Sequence, residues 1–138
     1  MHIVKNIVAV ITGGLIGMIV NMGLIMIGSN TISLPGGVDP MDEESFRNGL
    51  HLFEFRHFIF PFLAHAGGTL VGAFSASKIS VSHHLIFAMV IGVFFQIGGI
   101  AMGRIMDFEP LWYNSIDLIV CYLPMGWLGW KLSKQPQQ

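Results

Sequence analysis

Four polar side chains interrupt otherwise apolar stretches of this chain, one in each stretch: Asn21, His65, Gln96 and Asp117. A carboxylate and an imidazole can share a proton, and amides can both donate and accept hydrogen bonds. Each of the four lies six to eight residues in from the same end of its stretch. If the stretches are helices, a rise of about 1.5 Å per residue puts all four about 9–12 Å deep. An aspartate at that depth in an apolar slab costs up to about 3 kcal/mol on insertion scales, so it should face protein or water and have a partner. His65 is the natural partner, with Gln96 or Asn21 completing the bonds. Two readings stay open for this layer. It is a site for a proton, a metal ion or a small ligand, or it is interhelical glue worth about 0.6 kcal/mol per bond.

A second cluster precedes it, His51-Leu52-Phe53-Glu54-Phe55-Arg56-His57. Glu-x-x-His presents both ligands from one helical turn in carboxylate-bridged metal bundles, but those need a second such motif, and the chain has none. A metal set of His57, His65, Asp117 and Glu54 is the remaining arrangement, and imidazole with carboxylate suits zinc, iron or nickel alike. The competing reading is a hydrated face with Glu54 paired to Arg47 or Arg56. Arg104 either pairs with Asp107 three residues on or holds an anion or a lipid headgroup. No Gly-x-Ser-x-Gly, His-Glu-x-x-His or phosphate-binding glycine loop occurs, so catalysis is the less favoured reading and stays open only through a His/Glu metal centre. The one cysteine, Cys121, leaves no internal disulfide.

These residues need elements to hold them. Apolar residues make up 53% of the 138 and charged residues 11%, against about 25% charged in soluble domains. Such a chain cannot clothe a surface for water, which points to a lipid bilayer as its partner. The net charge of −1 and the lack of any Lys/Arg cluster exclude nucleic acid. Spanning a bilayer takes roughly 20 apolar residues, and four segments qualify, about 6–28, 58–78, 84–104 and 111–131. The first is too long for the apolar core of a signal peptide, about 7–15 residues. The sequence therefore predicts an all-α, integral membrane four-helix bundle forming one domain.

The loop between the first two spans is not featureless. Asp39-Pro40 reads as an N-cap followed by proline at the first helical position. Met41, Phe46, Leu50, Phe53 and His57 follow on one stripe. This predicts an extracytoplasmic amphipathic helix, about 40–56, acting as a lid. Pro61 is expected in the first turn of the second span, and Pro124 should kink the fourth near Val120 and Cys121.

All four lysines, Lys5, Lys78, Lys131 and Lys134, fall on one side, and Arg47, Arg56 and Arg104 fall on the other with seven of the eight acids. The positive-inside rule then puts both termini in the cytoplasm. Small residues recur four apart at Gly13/Gly17, Gly68/Gly72 and Gly99/Gly103, letting helices approach closely within or between chains. A homo-oligomer is expected on that ground.

The stretch from His57 to Ala73, HFIFPFLAHAGGTLVGA, with NMGLIMIG at Asn21–Gly28 before it, resembles a group of uncharacterised short bacterial four-span membrane proteins. The resemblance covers most of the chain. It implies a bacterial inner-membrane setting and no function. The residues themselves suggest an outward-facing polar site for a proton, metal ion or small solute. The alternative is a non-catalytic assembly or accessory subunit that works through its glycine faces.

Overall fold

The computed structural model describes residues 2–39, 41–106 and 110–134, and the backbone alone at 105 and 106. The described residues form six α-helices and no strand: α1 (His2–Thr31), α2 (Glu43–Gly49), α3 (Phe55–Ile79), α4 (His84–Met106), α5 (Leu111–Val120) and α6 (Leu123–Ser133). A 3-10 turn, Leu50–Leu52, follows α2. Three of these helices, α1, α3 and α4, are long and apolar enough to cross a membrane. The expected fourth span is instead two short helices broken at Cys121 and Tyr122. Pro124 explains the break. It sits at the start of α6, where a missing N–H costs nothing, whereas inside a continuous helix it would clash with the carbonyl four residues back.

Glycine decides how α1 and α3 meet. A Cβ on Gly17 would stand 2.7 Å from the Gly68 carbonyl oxygen, and one on Gly13 would stand 2.7 Å from that of Gly72. Both distances are shorter than any side chain tolerates, so the backbones touch along the small-residue rows. The remaining contacts use the same device. Gly129 of α6 abuts the Leu70 carbonyl of α3, and a Cβ on Gly92 of α4 would stand 3.1 Å from the Tyr122 carbonyl oxygen. Of the glycines on which the oligomer expectation rested, Gly13, Gly17, Gly68 and Gly72 are thus met from within the chain.

The lysine-bearing ends lie together. Asn6 accepts from Val81 N–H at 3.0 Å and donates to Ser82 at 2.9 Å, while Ser77 and Ser133 share a hydrogen bond of 2.7 Å. Lys5, Lys78 and Lys134 are each next in sequence to one of these residues, and Lys131 is two residues from Ser133. At the opposite end the amphipathic segment is shorter than expected. Asp42, not Asp39, caps α2 by accepting from Glu44 N–H, and Pro40 lies outside the described residues. Asp39 instead accepts from Met41 N–H at 2.9 Å, a local turn. Of the predicted stripe, Phe46, Phe53 and His57 gather, with ring centroids 5.3 and 5.1 Å apart, whereas Met41 is fully out in the open.

Because α3 begins at Phe55, Pro61 falls in its second turn rather than its first. It therefore deprives the His57 carbonyl of its helical donor.

Candidate functional site

Asp117 of α5 is 2% exposed, and both of its oxygens are engaged. Oδ1 lies 2.9 Å from His65 Nδ1 of α3, and Oδ2 accepts from the Tyr122 hydroxyl at 2.7 Å. With Asp117 as a carboxylate, its oxygens only accept, and His65 Nδ1 is then the donor. The lone pair of a neutral ring is then left on Nε2, which has no hydrogen bond among the described residues. Thr69 holds the turn below by donating to the His65 carbonyl at 2.8 Å. The carboxylate orients the imidazole, as an aspartate does for a catalytic or metal-binding histidine.

Tyr122 is the member of this cluster that sequence reasoning missed. Five residues apart on a continuous helix, Asp117 and Tyr122 would point about 140° away from each other. The break at Cys121 and Tyr122 lets the phenol fold back onto the carboxylate. Gly99 leaves the room for it, since a Cβ there would collide with the Tyr122 hydroxyl. Pro124 was the available signal.

The cluster forms one wall of a cavity of about 630 Å³. Met18, Asn21 and Met22 of α1 line the second side, and Phe94, Phe95 and Met102 of α4 line the third. The α1 and α3 lining comes from the half of each helix nearer the arginine end, and the α4 lining runs from the middle of that helix toward the same end. The cavity is therefore apolar except where His65, Asp117 and Tyr122 meet it and where Asn21 faces in. Asn21 has no hydrogen bond among the described residues, and its Cβ packs against Gly68.

Two of the expected binding residues lie elsewhere. Gln96 donates to the Leu118 carbonyl at 3.4 Å, near the end of α5, where carbonyls lack helical partners. It closes the helix break rather than joining His65. Arg104 is exposed near the end of α4 and does not line the cavity, and Asp107, its expected partner, lies outside the described residues.

The metal set His57, His65, Asp117 and Glu54 is not assembled. Among the described residues no three His, Cys, Asp or Glu side chains gather in a way that could hold a metal ion. Eight residues of helix separate His57 from His65 by about 12 Å, and each is engaged by a different partner. Glu54 pairs with Arg56 at 3.1 Å on the exposed face, and His51 is also exposed.

His57 nevertheless has a feature of its own. Its Nδ1 accepts from the Glu54 backbone N–H at 2.8 Å, closing the first turn of α3. The proton of the neutral ring therefore sits on Nε2, which is buried without a hydrogen-bond partner. Leaving such a donor unsatisfied costs about 1–3 kcal/mol. The amphipathic segment covers this end of the molecule, not the His65 cavity, so the expected lid over the polar layer is not what forms.

Fold and site define an all-helical protein whose buried carboxylate, imidazole and phenol stand at the wall of an apolar cavity. Comparison with family models, with curated proteins and with solved structures returned no match.

Proposed function

We propose that this chain is a four-span protein of a bacterial inner membrane, with both termini in the cytoplasm. In this reading it binds a small, largely apolar solute in the cavity between α1 and α4, and the solute's polar head donates a hydrogen bond to His65 Nε2. The observation that carries this is the doubly bonded Asp117, which fixes His65 with an open acceptor toward an otherwise apolar space.

The membrane setting draws on what α1 leaves uncovered. Ile7, Ile11, Ile19 and Met22 are each more than half exposed, although soluble monomers rarely expose contiguous apolar patches larger than a few hundred Å². Trp127 and Trp130 at the lysine end carry Lys131 and Lys134 over their rings at 4.9 and 3.8 Å, as interfacial anchors do. The cavity volume falls within the range of about 300–1,000 Å³ typical of small-molecule sites. A metal ion is disfavoured because both Asp117 oxygens are already taken and His65 offers one nitrogen, short of the three protein ligands of a catalytic zinc. Lining confined to the middle and the arginine end of the helices favours binding over passage across the bilayer.

The test uses the full chain in phosphatidylcholine nanodiscs, with empty nanodiscs as the blank. Fluorescence titration should show 2-naphthol, which has a donor head, binding about three- to tenfold more tightly than 2-methoxynaphthalene, which has none. His65→Phe should erase the difference. Equal binding of the two probes by the unaltered protein sinks the reading.

A further inference from the structure

A second cavity of about 230 Å³ lies at the arginine end, between the last turn of α1 and the first turns of α3. Ile25, Leu34, Phe46 and Phe60 line it, with His57 and Ser29 as its polar contributions. His57 is 9% exposed. Its Nε2–H is the buried, unpartnered donor described above, and Pro61, which also lines this space, cannot supply the His57 carbonyl with an N–H. A hydrogen-bond acceptor is missing from an apolar room.

Water meets such a vacancy only in part. A water on Nε2–H can donate in turn to Ser29 Oγ, whose own proton goes to the Ile25 carbonyl at 2.7 Å, but it leaves the apolar lining of Ile25, Leu34 and Phe60 uncovered. An acceptor carried on an apolar chain meets both demands at once. In the membrane reading, which this inference shares, the cavity lies where the spanning helices end, beneath α2 and the Phe46–Phe53 pair. The ester groups of a diacyl lipid sit at that depth, between hydrocarbon core and headgroups.

We propose that this cavity is a lipid site in which the ester carbonyl of an outer-leaflet phospholipid accepts from His57 Nε2–H while its acyl chain packs on Ile25 and Phe60. The site is separate from the His65 cavity and opposite to it in polarity. His57 asks for an acceptor, and His65 asks for a donor.

The experiment is lipid retention by the full chain, read by native mass spectrometry after extraction from nanodiscs. The nanodiscs hold equal amounts of diacyl phosphatidylcholine and its dialkyl ether analogue, which lacks the carbonyl. The unaltered protein should retain one diacyl lipid at least about threefold over the ether lipid, the factor one neutral hydrogen bond yields. His57→Phe keeps a ring against Phe53 and should remove the preference. Because that change also opens the first turn of α3, Ile25→Trp serves as a second variant that fills the cavity and should release the lipid altogether. No ester preference in the unaltered protein, or retention by Ile25→Trp, overturns the proposal. His65→Phe should leave the preference intact, so failure of the solute site and failure of the lipid site are told apart. A chain that stays outside the nanodiscs overturns both.

Discussion

His57 and His65 stand about two turns apart on α3, on either side of Pro61, and present opposite hydrogen-bonding polarity at Nε2. The Glu54 backbone N–H donates to Nδ1 of His57 at 2.8 Å, whereas Nδ1 of His65 donates to Asp117 at 2.9 Å. One ring is therefore left with a donor and the other with an acceptor. The difference comes from the partner of Nδ1 in each case, a backbone amide or a carboxylate, and not from the residue type.

Asp117→Asn should invert the polarity of the His65 cavity. An amide can turn its NH₂ toward Nδ1, which moves the imidazole proton to Nε2. The nitrogen chemical shifts of labelled histidine report the tautomer directly. The preference for 2-naphthol over its methyl ether should reverse or vanish along with that shift, and an unchanged tautomer contradicts the assignment.

Tyr122→Phe removes the donor to Asp117 Oδ2 and leaves a buried carboxylate oxygen bare. A loss of about 1–3 kcal/mol follows, read as a lower thermal midpoint in detergent. Gln96→Leu should cost less than Tyr122→Phe, because its contact with Leu118 is long, at 3.4 Å. Equal losses in the two variants contradict the distinction drawn between them.

Gly99→Ala puts a methyl group where the Tyr122 hydroxyl sits. The phenol must withdraw from Asp117, so this variant should reproduce the destabilisation of Tyr122→Phe. Gly98→Ala is the control. A Cβ there meets nothing within 4 Å, and its melting curve should match that of the parent protein.

Gly68→Leu should unfold the α1–α3 pair rather than dissociate an oligomer. Even a Cβ at Gly68 lies 2.8 Å from the Gly17 carbonyl oxygen and 2.9 Å from the Asn21 Cβ. Overpacking of this kind costs about 1–3 kcal/mol or more, and here the obstacle is backbone that cannot yield. Circular dichroism alongside size-exclusion chromatography separates the outcomes. A folded, merely dissociated variant would return the glycine faces to an intermolecular role.

Much of this was legible in the chain. Long apolar runs specify helices by composition alone, and the small residues four apart at Gly13, Gly17, Gly68 and Gly72 marked the faces that touch. The depth count brought His65 and Asp117 together correctly, because a fixed rise per residue converts position into height. The same count could not give rotation. Gln96 shares the level of His65 yet turns toward Leu118, and Asn21 reaches the cavity without joining the carboxylate.

Sequence by itself thus determined which segments are helical, where small residues permit contact, and at what height each polar group lies. Those properties follow from local chemistry and a regular backbone. Tertiary structure alone decided which groups meet. The break before Pro124 brought Tyr122 back onto Asp117, the early start of α3 moved Pro61 into its second turn, and the partner of each Nδ1 set what the two histidines offer. Each of these depends on a helix end or an axial rotation, and packing against neighbours sets both.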